Sequence, residues 1–489
     1  MEDFDPKGLR LPIKVDGSGS DEHEPMILTR GERAANALAH EYADKCSRKL
    51  GKSRRDFLKS ACGAAATLLA FNAAWTAMGA RGGRFAVPEA AAMEIAAAEA
   101  ALAGDEFIMD VQNHVVDPSG DWATGKDGRR WCRNLTGFFG SESECDVDEL
   151  DDYSARQLIK EVFMDSDTTV SVISALWGGR GHNPTPTSYA AVTRDLVDSE
   201  VGPGRCLIQG GVLPNEEGQI DFMDVQAEKY GVSAWKLYPQ WGPDGVGFFM
   251  DDEKYGIPTL EKARSLGVKI VASHRGLPLP NLEYKYSRPA DIVRVGRMFP
   301  DMTFMCYHSG YEPGVAEGPY RPERDRGIDR FIKAYVGHGY EPNRGNVYAE
   351  LGSVWYYVMS KPDQAAHVMG KLLKYFGEER VVWGTDCLWY GSPQDQIQAM
   401  RAFEISDEFR DKYGYPQLTA AAKRRIFGLN AAAIHDIDVE SMRNEIEASP
   451  FAKRRREYAR NPNPSFATYG PKTRAAFRRL IMRGGGRPG

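Results

Sequence analysis

The chain has no paired cysteines at metal-ligand spacing, no strong charge of either sign and no repeat of fixed period. Its seven cysteines include no CxxC pair, which excludes a structural metal site built on thiolates. Cys132 and Cys145 do fall in one predicted loop, where they can pair with each other. A net charge of -6 over 489 residues is too small to point to nucleic acid. The Ala-rich stretch Ala61 to Ala80 is only moderately apolar and is interrupted by Asn72, so it makes a poor permanent membrane span. With 42% hydrophobic residues the chain can bury one large core. A (β/α)8 barrel of about 250 residues plus extensions would use most of it, leaving little room for a second catalytic domain.

The two ends differ from the middle. Ser53-Arg54-Arg55-Asp56-Phe57-Leu58-Lys59 precedes the Ala-rich stretch, and Arg81 and Arg84 follow it. This order resembles a twin-arginine export signal. It implies passage through the twin-arginine translocase and a periplasmic destination, with cleavage near Ala90-Ala91-Ala92 and a mature start near Met93. The residues ahead of the arginines make either an extended leader or a start further downstream, such as Met26. At the other end Lys453, Arg454, Arg455, Arg456, Arg460, Lys472, Arg474, Arg478 and Arg479 form a basic tail opposed by Glu457. Interleaved aromatic residues suit it to a solvated extension, or to a strap on a neighbouring subunit, better than to a nucleic-acid site.

Between the ends, short apolar runs alternate with helix-like segments, the pattern of repeated βα units. The runs are Phe107–His114, Thr169–Leu176, Cys206–Val212, Ser233–Tyr238, Val268–His274, Met302–His308, Asn346–Glu350 and Val381–Asp386. Eight strands in one direction predict an α/β fold, a distorted (β/α)8 barrel over residues 105–440. Residues 1–92 then form the leader segment, and 441–489 the C-terminal extension. Residues 117–151 read mainly as a long loop.

Four of the runs stop on a polar residue able to bind a metal or move a proton: His114, His274, His308 and Asp386. Separated in sequence, they would converge at the C-terminal mouth of a barrel, where active sites of this fold lie. Simple alternation places Asp110, Gln112 and His114 on the same side of their strand. Each histidine taken alone also suits a hydrogen-bonded loop residue; the ordered set is what suggests a site.

The segments MDVQNHVVDP, WKLYP, DDEKYGIPTLEKARSLGVKIVASHRG, FPDMTFMCYHSG and GEERVVWGTD followed by IFGLN resemble the amidohydrolase superfamily. The likeness is to the amidohydrolase-related branch that includes aminocarboxymuconate semialdehyde decarboxylase and the resorcylate decarboxylases. It covers roughly Phe107 to Ile437. It implies that His114, His274 and Asp386 are ligands of one divalent metal, Zn²⁺ or Mn²⁺. His308 and Asp386 would then be the acid–base pair, with Asp386 accepting the proton of a metal-activated water. Where the family pattern D-x-H-x-H has its first histidine, this chain has Gln112, a weaker donor that shifts preference toward harder ions or abolishes metal binding. Gln112, Lys236 and Arg275 are the expected substrate contacts, Arg275 because guanidinium pairs with carboxylates in bidentate fashion. A surface role suits Arg275 equally, and a supporting role suits Lys236. Trp177, Trp241, Trp389 and Tyr390 follow strand ends and suggest a flat substrate.

The implied activity is metal-dependent hydrolysis of a small carboxylated or cyclic molecule. Non-oxidative decarboxylation of an aromatic acid on the same site is the alternative, and a binding protein that has lost its metal through Gln112 is a third. Relatives of this kind are often dimers, which makes a homodimer the assembly to expect.

Overall fold

The computed structural model describes residues 10–13, 28–139, 150–279 and 282–464. Its centre is a parallel sheet of eight strands in sequential order. The strands are β2 Met109–Asn113, β3 Val170–Ile173, β4 Cys206–Val212, β5 Ala234–Leu237, β6 Ile270–His274, β7 Thr303–Tyr307, β8 Val347–Glu350 and β9 Val381–Val382. Most of their residues are buried because the strands have the barrel interior on one side and helices on the other, so each reads as a near-continuous apolar run. Val111 N–H donates to the Trp383 carbonyl at 3.0 Å and Asp386 N–H to the Gln112 carbonyl at 2.9 Å, which brings the last strand back to the first. This is the distorted (β/α)8 barrel expected from the eight runs. Inside it pack Met109, Val111, Val172, Ala272, Met305 and Val382.

Two local features differ from the sequence reading. Pairing of β2 with β3 shifts register between Asp110 and Asn113, and this breaks the alternation that would have put Asp110 beside Gln112. In addition, the stretch read as a loop contains helix α5, Gly125–Phe139. Cys132 on α5 is disulfide-bonded; Cys145, its expected partner, lies outside the described residues.

The N-terminal segment folds against the barrel. Helix α1, Arg30–Lys49, starts at Thr29 with a reciprocal cap to Glu32; α2 is Arg54–Leu58, and α3 is Ala61–Ala77. Strand β1, Gly83–Phe85, pairs antiparallel with β10, Phe403–Ile405. Asn72, which interrupts the apolar stretch in sequence, fastens β1 to α3. Its side chain donates to the Phe85 carbonyl at 2.7 Å and accepts from Phe85 N–H at 2.9 Å. Glu32 meets Lys361 at 3.1 Å and Ser360 at 2.7 Å. Arg54 donates to the His40 carbonyl at 3.1 Å and is paired with Asp44. Arg55 is buried and donates to the Pro464 carbonyl at 2.7 Å. Among the described residues no helix is long and apolar enough to cross a membrane.

The beginning of the basic tail is also docked: helix Pro450–Tyr458 carries Arg455, which bridges to Asp167 at 2.8 Å. Lys472, Arg474, Arg478 and Arg479 lie outside the described residues.

Candidate active site at the barrel mouth

The four strand ends do meet, and every side chain in the cluster is fully buried. His114 Nε2 lies 2.9 Å from Asp386 Oδ1. Gln112 Nε2–H donates to the same oxygen at 3.0 Å and stands 3.4 Å from His114 Nε2 and 3.5 Å from His308 Nε2. His308 Nε2 is 3.2 Å from His274 Nδ1. The order through space is therefore His274, His308, Gln112, Asp386, His114, with Gln112 between two pairs. His274 adjoins His308 in this arrangement, whereas His114 and Asp386 form the other pair.

The second nitrogen of each imidazole is committed to a main-chain carbonyl. His114 Nδ1–H donates to Ser174 at 3.1 Å, His274 Nε2–H to Leu277 at 2.9 Å and His308 Nδ1–H to Gly352 at 2.8 Å. A carbonyl only accepts, so the ring nitrogen facing it carries the hydrogen and the inward nitrogen presents its lone pair. Burial, above all other influences, lowers the pKa of His114, against the pull of Asp386. Burial and then His274 and Lys236 lower that of His308 well below the usual range. His114 and His308 thus favour the neutral ring, and the inward nitrogens turn lone pairs toward each other and toward a carboxylate.

Backbone strain accompanies the cluster. His308 (φ 65°), Ser353 (φ 57°) and Asp386 (φ 65°) all adopt left-handed conformations that non-glycine residues rarely take, a cost typically held at functional sites. Ser353 Oγ donates to Asp386 Oδ2 and lies 2.8 Å from Tyr390 Oη. Asp110 acts as a strut instead of joining the cluster. It accepts the N–H groups of Gln112 at 3.1 Å and Thr385 at 3.0 Å, and burial raises its pKa to about 7 despite those bonds.

Glu350, at the end of β8, is a site residue the sequence reading passed over. Its carboxyl accepts from the backbone of His308 at 2.8 Å and of Gly352 at 2.5 Å, and burial raises its pKa to about 8. Two glycines make room for it. A Cβ on Gly384 would fall 1.7 Å from Glu350 Oε1; one on Gly352 would fall 2.2 Å from Gln112 Oε1. The rule that selected the other strand ends, an apolar run stopping on a polar group, would have selected Glu350 too. Ser353 had no comparable signal, since its place follows from the strained turn after β8.

The expected substrate contacts separate in the structure. Lys236 is buried inside the barrel with Nζ 3.9 Å from the centroid of the Tyr307 ring. Arg275 is buried as well, but its guanidinium pairs with Asp291 at 3.1 Å and donates to the Tyr286 carbonyl at 2.5 Å. Alternation turns it away from His274, so the expected carboxylate contact is replaced by an internal ion pair and the surface alternative is excluded. Trp389 stacks on His114 at 5.2 Å between centroids, and Trp131 adjoins Trp177 at 4.7 Å, so an aromatic wall covers the His114 side. Trp241 instead donates to Asp127 at 2.9 Å.

A parallel barrel with imidazoles and a carboxylate gathered at the C-terminal ends of its strands defines the class of barrel proteins with a polar centre at the mouth. Residues 185–437, more than half of the 489-residue chain, match the Amidohydrolase family model, and the chain belongs to that family. Gln112 and His114 precede the matched region; Lys236, His274, His308 and Asp386 lie within it. Among solved structures, the chain is similar to an uncharacterized TIM-barrel protein from Bordetella bronchiseptica at 14% identity and a TM-score of 0.42, with 67% of this chain and 97% of that one covered. It is also similar to 5-carboxyvanillate decarboxylase from Sphingomonas paucimobilis at 13% identity, TM-score 0.41, covering 68% of this chain and 100% of that one. A third is an amidohydrolase from Mycobacterium avium subsp. paratuberculosis at 12% identity, TM-score 0.40, covering 69% and 100%. No curated protein sequence matches the chain.

The family brings the expectation of a metal, and the site's own chemistry bears on it. Among the described residues no three His, Cys, Asp or Glu side chains form a metal-holding group, because Gln112 stands between the two pairs. Gln112 Oε1 is buried without a hydrogen-bond partner, an orphaned acceptor. Turning the amide over would aim this oxygen into a ring of lone pairs from His114, His274, His308 and Asp386. Such a ring is short of positive charge, and imidazole, carboxylate and amide oxygen all suit a divalent cation. The donor chemistry fits a divalent ion, with Gln112 completing the set.

Proposed function

We propose that this chain is a metal-dependent hydrolase of a small carboxylated or cyclic substrate. The observation that carries the reading is that His114, His274 and His308 are each fixed outward by a main-chain carbonyl and turned inward by their lone-pair nitrogen, the arrangement that orients metal-ligating histidines. His114, His274 and Asp386 would hold one divalent ion, Zn²⁺ or Mn²⁺, with Gln112 as an oxygen donor. Bound there, the ion would supply Lewis acidity to water or to a substrate oxygen.

The chain's own residues do the rest. Asp386 takes up a proton at its carboxylate, held in place by Ser353 on Oδ2. His308, neutral and aimed by Gly352, accepts or returns a proton at Nε2. Lys236 contributes positive charge from the barrel interior. The buried wall of Trp389, Trp131 and Trp177 excludes water from the His114 side.

That wall also favours a second reading, decarboxylation of a flat aromatic acid. Product analysis in ¹⁸O-labelled water separates the two: label in the product supports hydrolysis, and carbon dioxide release without label supports the lyase. Asp386→Asn should reduce turnover by about a thousandfold in either case while leaving the circular dichroism unchanged. An active variant would overturn the assignment.

The enzyme is proposed to be exported by the twin-arginine translocase to the periplasm. Two observations support this: the Ser53–Lys59 pattern and the disulfide at Cys132, a bond that persists in oxidising compartments. A homodimer is the proposed assembly.

A further inference from the structure

On the side of the barrel where β3 and β4 begin lies a cavity of about 510 Å³. Parts of the chain that are distant in sequence enclose it: Pro12, the residues around the start of α3, those leading into β3 and β4, the segment from Ser392 to Gln398, and the C-terminal helices. Its apolar lining includes Leu58, Met164, Ile446 and Phe451.

Arg205 lines this space and is only 5% exposed. Its Nε donates to the Thr169 carbonyl at 2.8 Å, and its guanidinium lies 5.0 Å from the Phe163 ring and 5.5 Å from the Phe451 ring. Nη1 is buried and has no hydrogen-bond partner. No carboxylate pairs with Arg205 among the described residues. Asp167 is engaged by Arg401 at 2.6 Å and Arg455 at 2.8 Å, and Asp165 by Lys160. An unpaired buried cation is costly, and its cost falls when an anion completes it.

We propose that this cavity is a binding site for a small monocarboxylate with an apolar body, its carboxylate on Arg205 and its body against Leu58, Met164, Ile446 and Phe451. The volume lies in the range of small-molecule pockets. A single negative charge matches the one buried guanidinium on the lining that no carboxylate compensates among the described residues, Arg456 being exposed, whereas Asp165, Asp167 and Asp395 on the lining repel a more highly charged phosphate. Such a ligand would bridge the N-terminal segment, the barrel and the C-terminal helices of the uncleaved chain, and removal of residues 1–92 on export would take away Leu58 and with it this site.

The test uses the full chain with sodium octanoate as probe, followed by calorimetric titration and thermal unfolding. Octanoate should bind saturably and raise the melting temperature. Arg205→Gln should weaken binding at least about tenfold, the effect of losing a hydrogen bond to a charged group. Ala61→Phe, which narrows the cavity and leaves Arg205 in place, should weaken it as well, so the result does not depend on one variant folding. Octanol or inorganic phosphate binding as tightly as octanoate would overturn the proposal. So would absent octanoate binding, or binding unchanged in both variants.

Discussion

Gly384 and Gly352 show how little space the candidate site leaves. Because a Cβ at position 384 would come within 1.7 Å of Glu350 Oε1, Gly384→Ala must displace a buried carboxyl that holds the His308 backbone. The expected cost is about 1–3 kcal/mol in denaturant unfolding, with turnover lost alongside; an unchanged midpoint would contradict the packing described. His367 offers a second residue-level check away from the site. It is buried against Tyr415 at 2.9 Å, and burial, then Lys371, lowers its pKa from 6.5 to about 4. The unfolded chain therefore takes up the proton first, and the stability His367 contributes above pH 6.5 is lost as pH falls toward 4. His367→Gln should flatten stability over that window. At this scale the sequence made His114, His274, His308 and Asp386 legible because each ends an apolar run. The partner of Arg275 was not legible, because Asp291 lies sixteen positions on and nothing in the sequence ties the two together.

The elements were legible where their period was clean and obscure where a tertiary contact set them. All eight barrel strands appear in the expected order. The register shift in β2 was invisible, since nothing in MDVQNH marks the place where alternation fails. Helix α5 was hidden by the Gly, Asp and Trp around it. Asn72 looked like a break in an apolar stretch and proves to be the clasp between α3 and β1. Helix α3 has further consequences. Leu68 and Phe71 on it are buried, and Arg55 is engaged by the C-terminal segment, so the proposed recognition by the translocase would require this layer to come away from its seat. N-terminal sequencing of protein recovered from the periplasm should give a start near Met93. An intact leader on protein confined to the cytoplasm would contradict export.

For the molecule as a whole, the barrel separates two kinds of buried polar chemistry. At the mouth, lone pairs converge without enough positive charge; at the other end, a buried guanidinium lacks an anion. The fold was readable because eight βα units impose a strong repeated pattern. The state of the centre was not, because it turns on which atom of one side chain, Gln112, faces inward. Elemental analysis of the full-length protein purified without chelator, beside Gln112→His, addresses this directly. About one divalent ion per chain in the parent, held more tightly in Gln112→His, is the predicted result. A parent chain that binds neither Zn²⁺ nor Mn²⁺ when supplied would contradict the metal-dependent account and leave a barrel that binds without catalysing.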